Sequence, residues 1–122
     1  MSILVWAGIG VLGGGGALLR YHLDAFVQQA AGRSAFPAGT FIVNTAGSCC
    51  LGLLTGLGVG GDALLLSGTA LIGSFTTFST WMLETERLGE DGESRLALAN
   101  LGLSLTAGLA AAGIGWAIGA RL

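Results

Sequence analysis

Charged residues divide this chain into long uncharged stretches. Runs without Asp, Glu, Lys or Arg cover positions 1–19, 34–61, 63–83 and 96–120, together 93 of the 122 residues. A helix needs about 20 apolar residues to cross the roughly 30 Å hydrocarbon core of a bilayer. The pattern therefore predicts an all-α integral membrane protein with four transmembrane helices. We expect these spans at about 3–23, 38–59, 63–83 and 96–119.

Composition supports the same class. Charged residues make up 10% of the chain, against about 25% in an ordinary soluble domain. This excludes a soluble globule, a disordered tail and a disulfide scaffold, and leaves a single membrane domain over 1–122. A net charge of −2 and the absence of a basic patch predict no nucleic-acid partner. The adjacent Cys49 and Cys50 are interpreted as small packing residues within the second span.

The first uncharged run could instead be a secretory signal peptide. It lacks a basic region before its apolar residues, and the sequence around Ala17 and Arg20 does not resemble a small-x-small cleavage site. We therefore expect a true membrane span here.

Arginine placement leaves the membrane orientation open. Four spans put both termini on one side, together with Arg121, while four arginines lie toward the opposite side: Arg20, Arg33, Arg87 and Arg95. The positive-inside rule would place that side in the cytoplasm, but Arg20 and Arg95 adjoin the spans and contribute less to the bias. The distribution of arginines is therefore too even to predict the membrane orientation.

Small and polar side chains recur at every fourth position of the second span. The series consists of Thr40, Asn44, Ser48, Gly52, Gly56 and Gly60. Close helix packing in a bilayer relies on small residues, which explains the glycines but not Asn44. A buried amide needs a hydrogen-bond partner, so Asn44, like Asn100 in the fourth span, either links helices or contacts a ligand.

The third span has five hydroxyl side chains within residues 73–81. They face all sides of a helix, which favours an interruption near 73–77, where hydroxyl groups can bond the released backbone groups. Freed carbonyls attract a cation, and the following helix N-terminus attracts an anion. Phe75, Phe78 and Trp81 share one face and either pack in the core or turn their electropositive ring edges toward an anion. Glu84, by itself, is typical of an interfacial carboxylate.

Three motifs resemble the Fluc (CrcB) family of fluoride channels. They are GGGA followed by RY within 14–21, GTFIVNTAG at 39–47, and the pattern G-x-x-TTFST-x-x-x-E at 73–84. They occur in the expected order through the first three spans, whereas the fourth span matches only in character. The resemblance implies a fluoride-specific ion channel, not an enzyme, which exports cytoplasmic fluoride passively and thereby reduces fluoride toxicity.

The resemblance also implies an assembly. It implies an antiparallel, dual-topology homodimer in the cell membrane, with the third helix broken mid-membrane and two fluoride pores per dimer. It also implies a structural sodium ion at the dimer centre. By motif position its ligands would be the backbone carbonyls of Gly73 and Thr76 from each subunit.

The same motifs suggest the fluoride-pathway residues. Asn44 would donate a hydrogen bond to fluoride, and Phe78 matches the first of two pore-lining aromatic positions. Trp81 occupies the second, where the family usually has Phe, and would add an indole N–H donor. Ser79, Thr80 and Glu84 resemble the polar track beside these rings, and Ser104 in the fourth span would complete it. Arg20 resembles the arginine at the aqueous vestibule.

Two other classes of membrane protein have comparable sequences. A small multidrug-type antiporter would need a carboxylate within its first span, and positions 1–23 contain none. A non-transporting assembly subunit would explain the glycines but not the hydroxyl-rich segment together with Asn44. An enzyme is disfavoured because His22 is the only histidine and no nucleophile–base pair is apparent.

Overall fold

The computed structural model describes residues 2–122, and all the regular secondary structure within them is helical. The elements are α1 (Ile3–Ala31), α2 (Ala38–Gly56), α3 (Gly61–Leu64), a π-helix (Leu65–Ile72), α4 (Gly73–Phe75), α5 (Phe78–Glu90) and α6 (Ser94–Arg121). Four segments are long and apolar enough to cross a membrane: Ile3–Ala31, Ala38–Gly56, Gly61–Glu90 and Ser94–Arg121. The prediction of an all-α protein with four membrane-spanning segments is confirmed.

Two helices continue beyond the apolar stretches that predicted them. Helix α1 extends past position 23 to Ala31, and α5 remains helical through Glu90. Residues 84–90 therefore continue the helix beyond the span predicted at about 63–83. The helix ends at Glu90, and Gly92 in the following turn has a φ of 78°, in the left-handed region that glycine adopts without strain.

Helices α2 and α6 approach each other through glycine. A Cβ atom at Gly52 would lie 2.1 Å from the carbonyl oxygen of Ala112, and one at Gly115 would lie 2.2 Å from that of Cys49. Side chains larger than hydrogen are therefore excluded at these crossings. Gly52 and Gly56 of the series at every fourth position thus contact α6, as close packing of membrane helices requires, whereas Gly60 lies beyond the end of α2.

The polar half of the same series faces the third segment. Thr40 is buried and bonds the side chain of Glu84, while Asn44 bonds the backbone of Thr77. The stripe on α2 therefore changes partner along its length, from α5 at Thr40 to α6 at Gly52. This geometry brings Asn44 to the junction between α4 and α5.

Burial is concentrated along these contacts. Val43 and Asn100 are the largest side chains with almost no exposed surface. Many large apolar side chains lie on the outside, such as Trp6, Val11 and Leu109. Such a surface suits hydrocarbon as the surrounding medium. Within residues 2–122 every buried side-chain nitrogen and oxygen has a hydrogen-bond partner.

Candidate functional site

The helical hydrogen-bond ladder of the third segment is interrupted at Thr76 and Thr77. Both residues have extended backbone, with φ and ψ of −86° and 162° at Thr76 and −150° and 122° at Thr77. The Thr76 N–H still reaches the Ile72 carbonyl at 2.9 Å. The Thr77 hydroxyl then starts α5 by accepting a hydrogen bond from the Thr80 N–H at 3.2 Å, as an N-cap residue does.

Asn44, on the neighbouring helix α2, hydrogen-bonds the backbone groups of Thr77 at this interruption. Its Oδ1 accepts a hydrogen bond from the Thr77 N–H at 2.7 Å, and its Nδ2 donates one to the Thr77 carbonyl at 2.8 Å. A primary amide has two N–H donors, so one of them remains after these two bonds. Asn44 therefore both fixes the interruption and has a further donor.

Two carbonyl groups at the interruption retain acceptor capacity. The Gly73 carbonyl accepts a long hydrogen bond of 3.5 Å from the Thr76 hydroxyl. The Thr76 carbonyl accepts none from residues 2–122. Oxygen ligands suit a hard cation. Across the described part of the chain, no three His, Cys, Asp or Glu side chains are grouped to hold a metal ion.

An apolar groove of about 620 Å³ opens beside the interruption. Its walls come from α2, the helical residues 61–75, α5 and α6. The groove brings together six of the residues that the sequence predicted for ion contacts. These are Asn44, Gly73, Thr76, Phe78, Trp81 and Ser104.

Two aromatic rings form one wall of this groove. Phe78 is 70% exposed, and its ring meets the Trp81 ring edge to face, with centroids 5.7 Å apart and planes at 87°. The Trp81 indole N–H donates to the Asn100 carbonyl at 3.0 Å. The predicted extra donor at Trp81 is therefore engaged by α6, and the groove receives the ring rather than the N–H.

A second, smaller cavity of about 240 Å³ lies on another face of α5. Arg20 and Thr80, both predicted as site residues, line it together with Tyr21, Asp24, Thr40, Val43 and Thr77. Glu84 accepts a hydrogen bond from the Thr40 hydroxyl near this cavity. Thr77 borders both cavities, so the interruption separates them.

Helical spacing explains this division. At 3.6 residues per turn, Thr77, Thr80 and Glu84 are centred about a quarter turn around the helix from the pair Phe78 and Trp81. Polar and aromatic positions therefore occupy different faces of α5. Ser79 is exposed, with its hydroxyl 3.4 Å from that of Thr77.

Sequence reasoning missed Thr40 and Thr85 as site residues. Thr40 bonds Glu84, and Thr85 joins α5 to α6 by accepting a hydrogen bond from Asn100 at 2.8 Å. The position of Thr40 four residues before Asn44 was a usable signal, because the two share a helix face. No comparable signal pointed to Thr85.

These features define a multi-pass membrane protein, in bacteria a protein of the plasma membrane, with polar groups gathered around an interrupted helix. Residues 7–116 match the family model described as CrcB-like protein, Camphor Resistance (CrcB). The chain belongs to this family. The match covers all four membrane-spanning segments, including the fourth, for which the sequence motifs were weakest.

Similar proteins carry one consistent name. Fluoride-specific ion channel FluC 2 of Mycolicibacterium paratuberculosis is 50% identical over 93% of each chain. FluC 1 of Symbiobacterium thermophilum is 45% identical over 93% of this chain and 96% of its own. Fluoride-specific ion channel FluC of Deinococcus radiodurans is 40% identical over the full length of both. These relatives are named as ion channels, a class distinct from enzymes.

Proposed function

We propose that this protein is a fluoride-specific ion channel that lets cytoplasmic fluoride leave the cell passively, down its electrochemical gradient. Its relatives bear that name over nearly the whole chain. The observation that carries the proposal is Asn44, a membrane-embedded amide at a helix interruption that retains one N–H donor beside two aromatic rings. Export of this kind would lower internal fluoride and its toxicity.

The chemistry of the groove suits a small anion. Fluoride is compact and strongly hydrated, so a pore has to replace its water with hydrogen-bond donors and other positive partial charge. The free Asn44 N–H supplies a donor, and the edges of Phe78 and Trp81 carry partial positive charge. None of these groups is a full cation that would retain the ion. Chloride is larger, so a narrow path of this kind disfavours it.

The smaller cavity would serve as a vestibule and polar track. A fixed charge at Arg20 raises the local concentration of anions near the pore. Thr80 lines this cavity, the hydroxyls of Ser79 and Thr80 both contact that of Thr77 at the interruption, and Glu84 is held by Thr40. Ser104 would contribute from α6, across the groove.

We further propose an antiparallel, dual-topology homodimer with two pores. Three features support it. The aromatic wall at Phe78 is 70% exposed, the groove is open and apolar, and the arginine bias is weak. A second copy in the opposite orientation would cover the groove, and the interrupted third segments of the two subunits would cross at the centre.

The carbonyls of Gly73 and Thr76 from both subunits would hold a structural sodium ion at that crossing. Their unused acceptor capacity fits a hard, oxygen-binding cation. A bound cation would supply positive charge to these carbonyl oxygens, and ligands from both subunits would join the two chains. Gly73 and Thr76 would therefore act in assembly, while Asn44 acts on the anion.

Fluoride efflux from liposomes tests the function directly. Vesicles loaded with potassium fluoride and containing the purified protein are diluted into fluoride-free buffer, and valinomycin is added to carry the compensating potassium. We expect release at a fluoride electrode only after valinomycin, because an uncoupled channel moves net charge. Potassium chloride vesicles and protein-free vesicles are the controls.

Two results would contradict the proposal. Equal release of chloride would remove the fluoride specificity, and fluoride release without valinomycin would show that transport is coupled rather than passive.

The sodium site has its own test. Elemental analysis of dimer washed into N-methylglucamine salts should detect retained sodium, and exhaustive removal should lower fluoride efflux until sodium is restored. Normal efflux from dimer with no detectable sodium would exclude the site.

A further inference from the structure

Asn100 is an amide enclosed by protein within the membrane-spanning part of α6. It is 1% exposed, although most of the neighbouring side chains on α6 lie at the surface. An amide in such a position is expensive unless it is fully hydrogen-bonded. Its partners therefore indicate what it does.

Every polar group of Asn100 is engaged between α5 and α6. Its Nδ2 donates to the Thr85 hydroxyl at 2.8 Å and to the Trp81 carbonyl at 3.4 Å. Its Oδ1 accepts from the Ser104 hydroxyl at 3.3 Å, and its backbone carbonyl accepts from the Trp81 indole at 3.0 Å. Both N–H donors are used, so Asn100 has none left for an anion.

The network closes around Trp81. Thr85 donates its hydroxyl hydrogen to the Trp81 carbonyl at 2.8 Å while accepting from Asn100. The backbone and the indole of Trp81 are thus held by the same residue of α6. This fixes both the position of α5 and the rotation of the ring that lines the groove.

We propose that Asn100 is a positioning residue for the anion pathway, holding the ring of Trp81 and the hydroxyl of Ser104 in the lining of the groove without contacting the ion. This inference rests on the proposed fluoride function for its effect on flux. The arrangement of Trp81 itself is independent of that function. The indole N–H is paired with the Asn100 backbone carbonyl, and the Asn100 side chain holds that carbonyl in place by bonding the Thr85 hydroxyl and the Trp81 carbonyl.

Fluorescence of Trp81 provides a readout that does not depend on transport. Replacing Trp6 and Trp116 with Phe leaves Trp81 as the only tryptophan. In this background we compare Asn100→Leu and Thr85→Val, which remove the side-chain hydrogen bond between α5 and α6 from either end and leave the backbone carbonyl of residue 100 in place. Thr106→Val is the matched control, because its hydroxyl bonds only the Gly102 carbonyl within α6.

We expect both link variants to shift the Trp81 emission maximum and to lower fluoride efflux about three- to tenfold, the range for losing one or two interhelical hydrogen bonds in a membrane. Thr106→Val should change neither. Thr85→Val preserves side-chain shape, so it keeps the test valid where Asn100→Leu fails to assemble. Unchanged emission and efflux in an assembled link variant would overturn the inference.

A double-mutant comparison separates positioning from general stability. If Asn100 acts through the Trp81 ring, Asn100→Leu should lower efflux much less in a Trp81→Phe protein than in the parent. An equal loss of efflux in both backgrounds would show that Asn100 joins the helices without acting through the Trp81 ring. Absence of fluoride efflux from the parent would refute the proposed function, while the emission shift would still decide whether Asn100 positions Trp81.

Discussion

At the scale of single residues, Asn44 satisfies two backbone groups that an interrupted helix leaves open. The Thr77 N–H needs an acceptor and the Thr77 carbonyl needs a donor, and the amide provides both. A carboxylate of the same shape provides only acceptors. The backbone of Thr77 therefore requires an amide at position 44, as does the anion that Asn44 is proposed to contact.

Asn44→Asp should reduce fluoride efflux at least about tenfold while leaving the protein assembled. The substitution removes the bond to the Thr77 carbonyl, at a cost of about 1–3 kcal/mol for a buried unpaired group, and places an acceptor where fluoride needs a donor. Liposome efflux measures the change, and the size-exclusion profile reports assembly.

Cys50→Ala is the matched control for Asn44→Asp, because Cys50 is an exposed residue of the same helix. Efflux of Asn44→Asp equal to that of the control would show that Asn44 lies outside the ion pathway.

At the scale of helices, the two halves of the third segment differ in helix type. Residues 61–75 combine short α-helical turns with the π-helix Leu65–Ile72, while α5 is regular. The first half is packed closely against α1 at Gly16, where a Cβ atom would lie 2.4 Å from the Leu71 carbonyl oxygen and 2.2 Å from the Ser74 Oγ. The position of the interruption thus depends on α1 as well as α2.

Gly16→Ala should lower both the thermal stability and the fluoride efflux of the protein. The added methyl group forces α1 away from the half-helix that ends at the interruption. Gly15 provides the control, since a Cβ atom there meets nothing within 4 Å and alanine is the better helix former by about 0.5–1 kcal/mol.

Thermal unfolding in detergent compares the two glycine variants, with Gly15→Ala expected to match or exceed the parent. Equal behaviour of Gly16→Ala and Gly15→Ala would mean that the packing of α1 does not set the interruption.

At the scale of the whole molecule, the protein has little buried core and much exposed apolar surface. Side chains such as Trp6, Leu109 and Trp116 suit lipid, whereas Phe78 borders a polar interruption and would gain from a protein partner. This contrast between two kinds of exposed surface underlies the proposal that a second copy covers the groove.

Dual topology predicts that the C-terminus is exposed on both sides of the cell membrane. Leu122→Cys in a Cys49→Ala, Cys50→Ala background introduces one exposed thiol at the end of the chain. An impermeant maleimide should label about half of the protein in intact cells, and the other half should become labelled only after permeabilisation.

The cysteine-free parent controls for background labelling. Labelling confined to one side would exclude an antiparallel dimer assembled from subunits inserted both ways.

The sequence by itself determined the membrane class, the four spans and the small-residue face of α2. These follow from local energetics, because every charged or unpaired polar group in hydrocarbon is costly wherever the chain goes. It also identified Asn44, Phe78 and Trp81 as neighbours of one site. Helix ends were less determined, since residues 84–90 are charged and still helical.

Only the tertiary structure decided which donors and acceptors meet. Asn44 and Thr77 are 33 residues apart, and Trp81 and Asn100 are 19 apart. No local pattern shows that the indole N–H is used by α6, or that Thr80 borders a different cavity from Phe78. A hydrogen bond between helices depends on their crossing and rotation, which are set by the packing of whole faces rather than by any single residue.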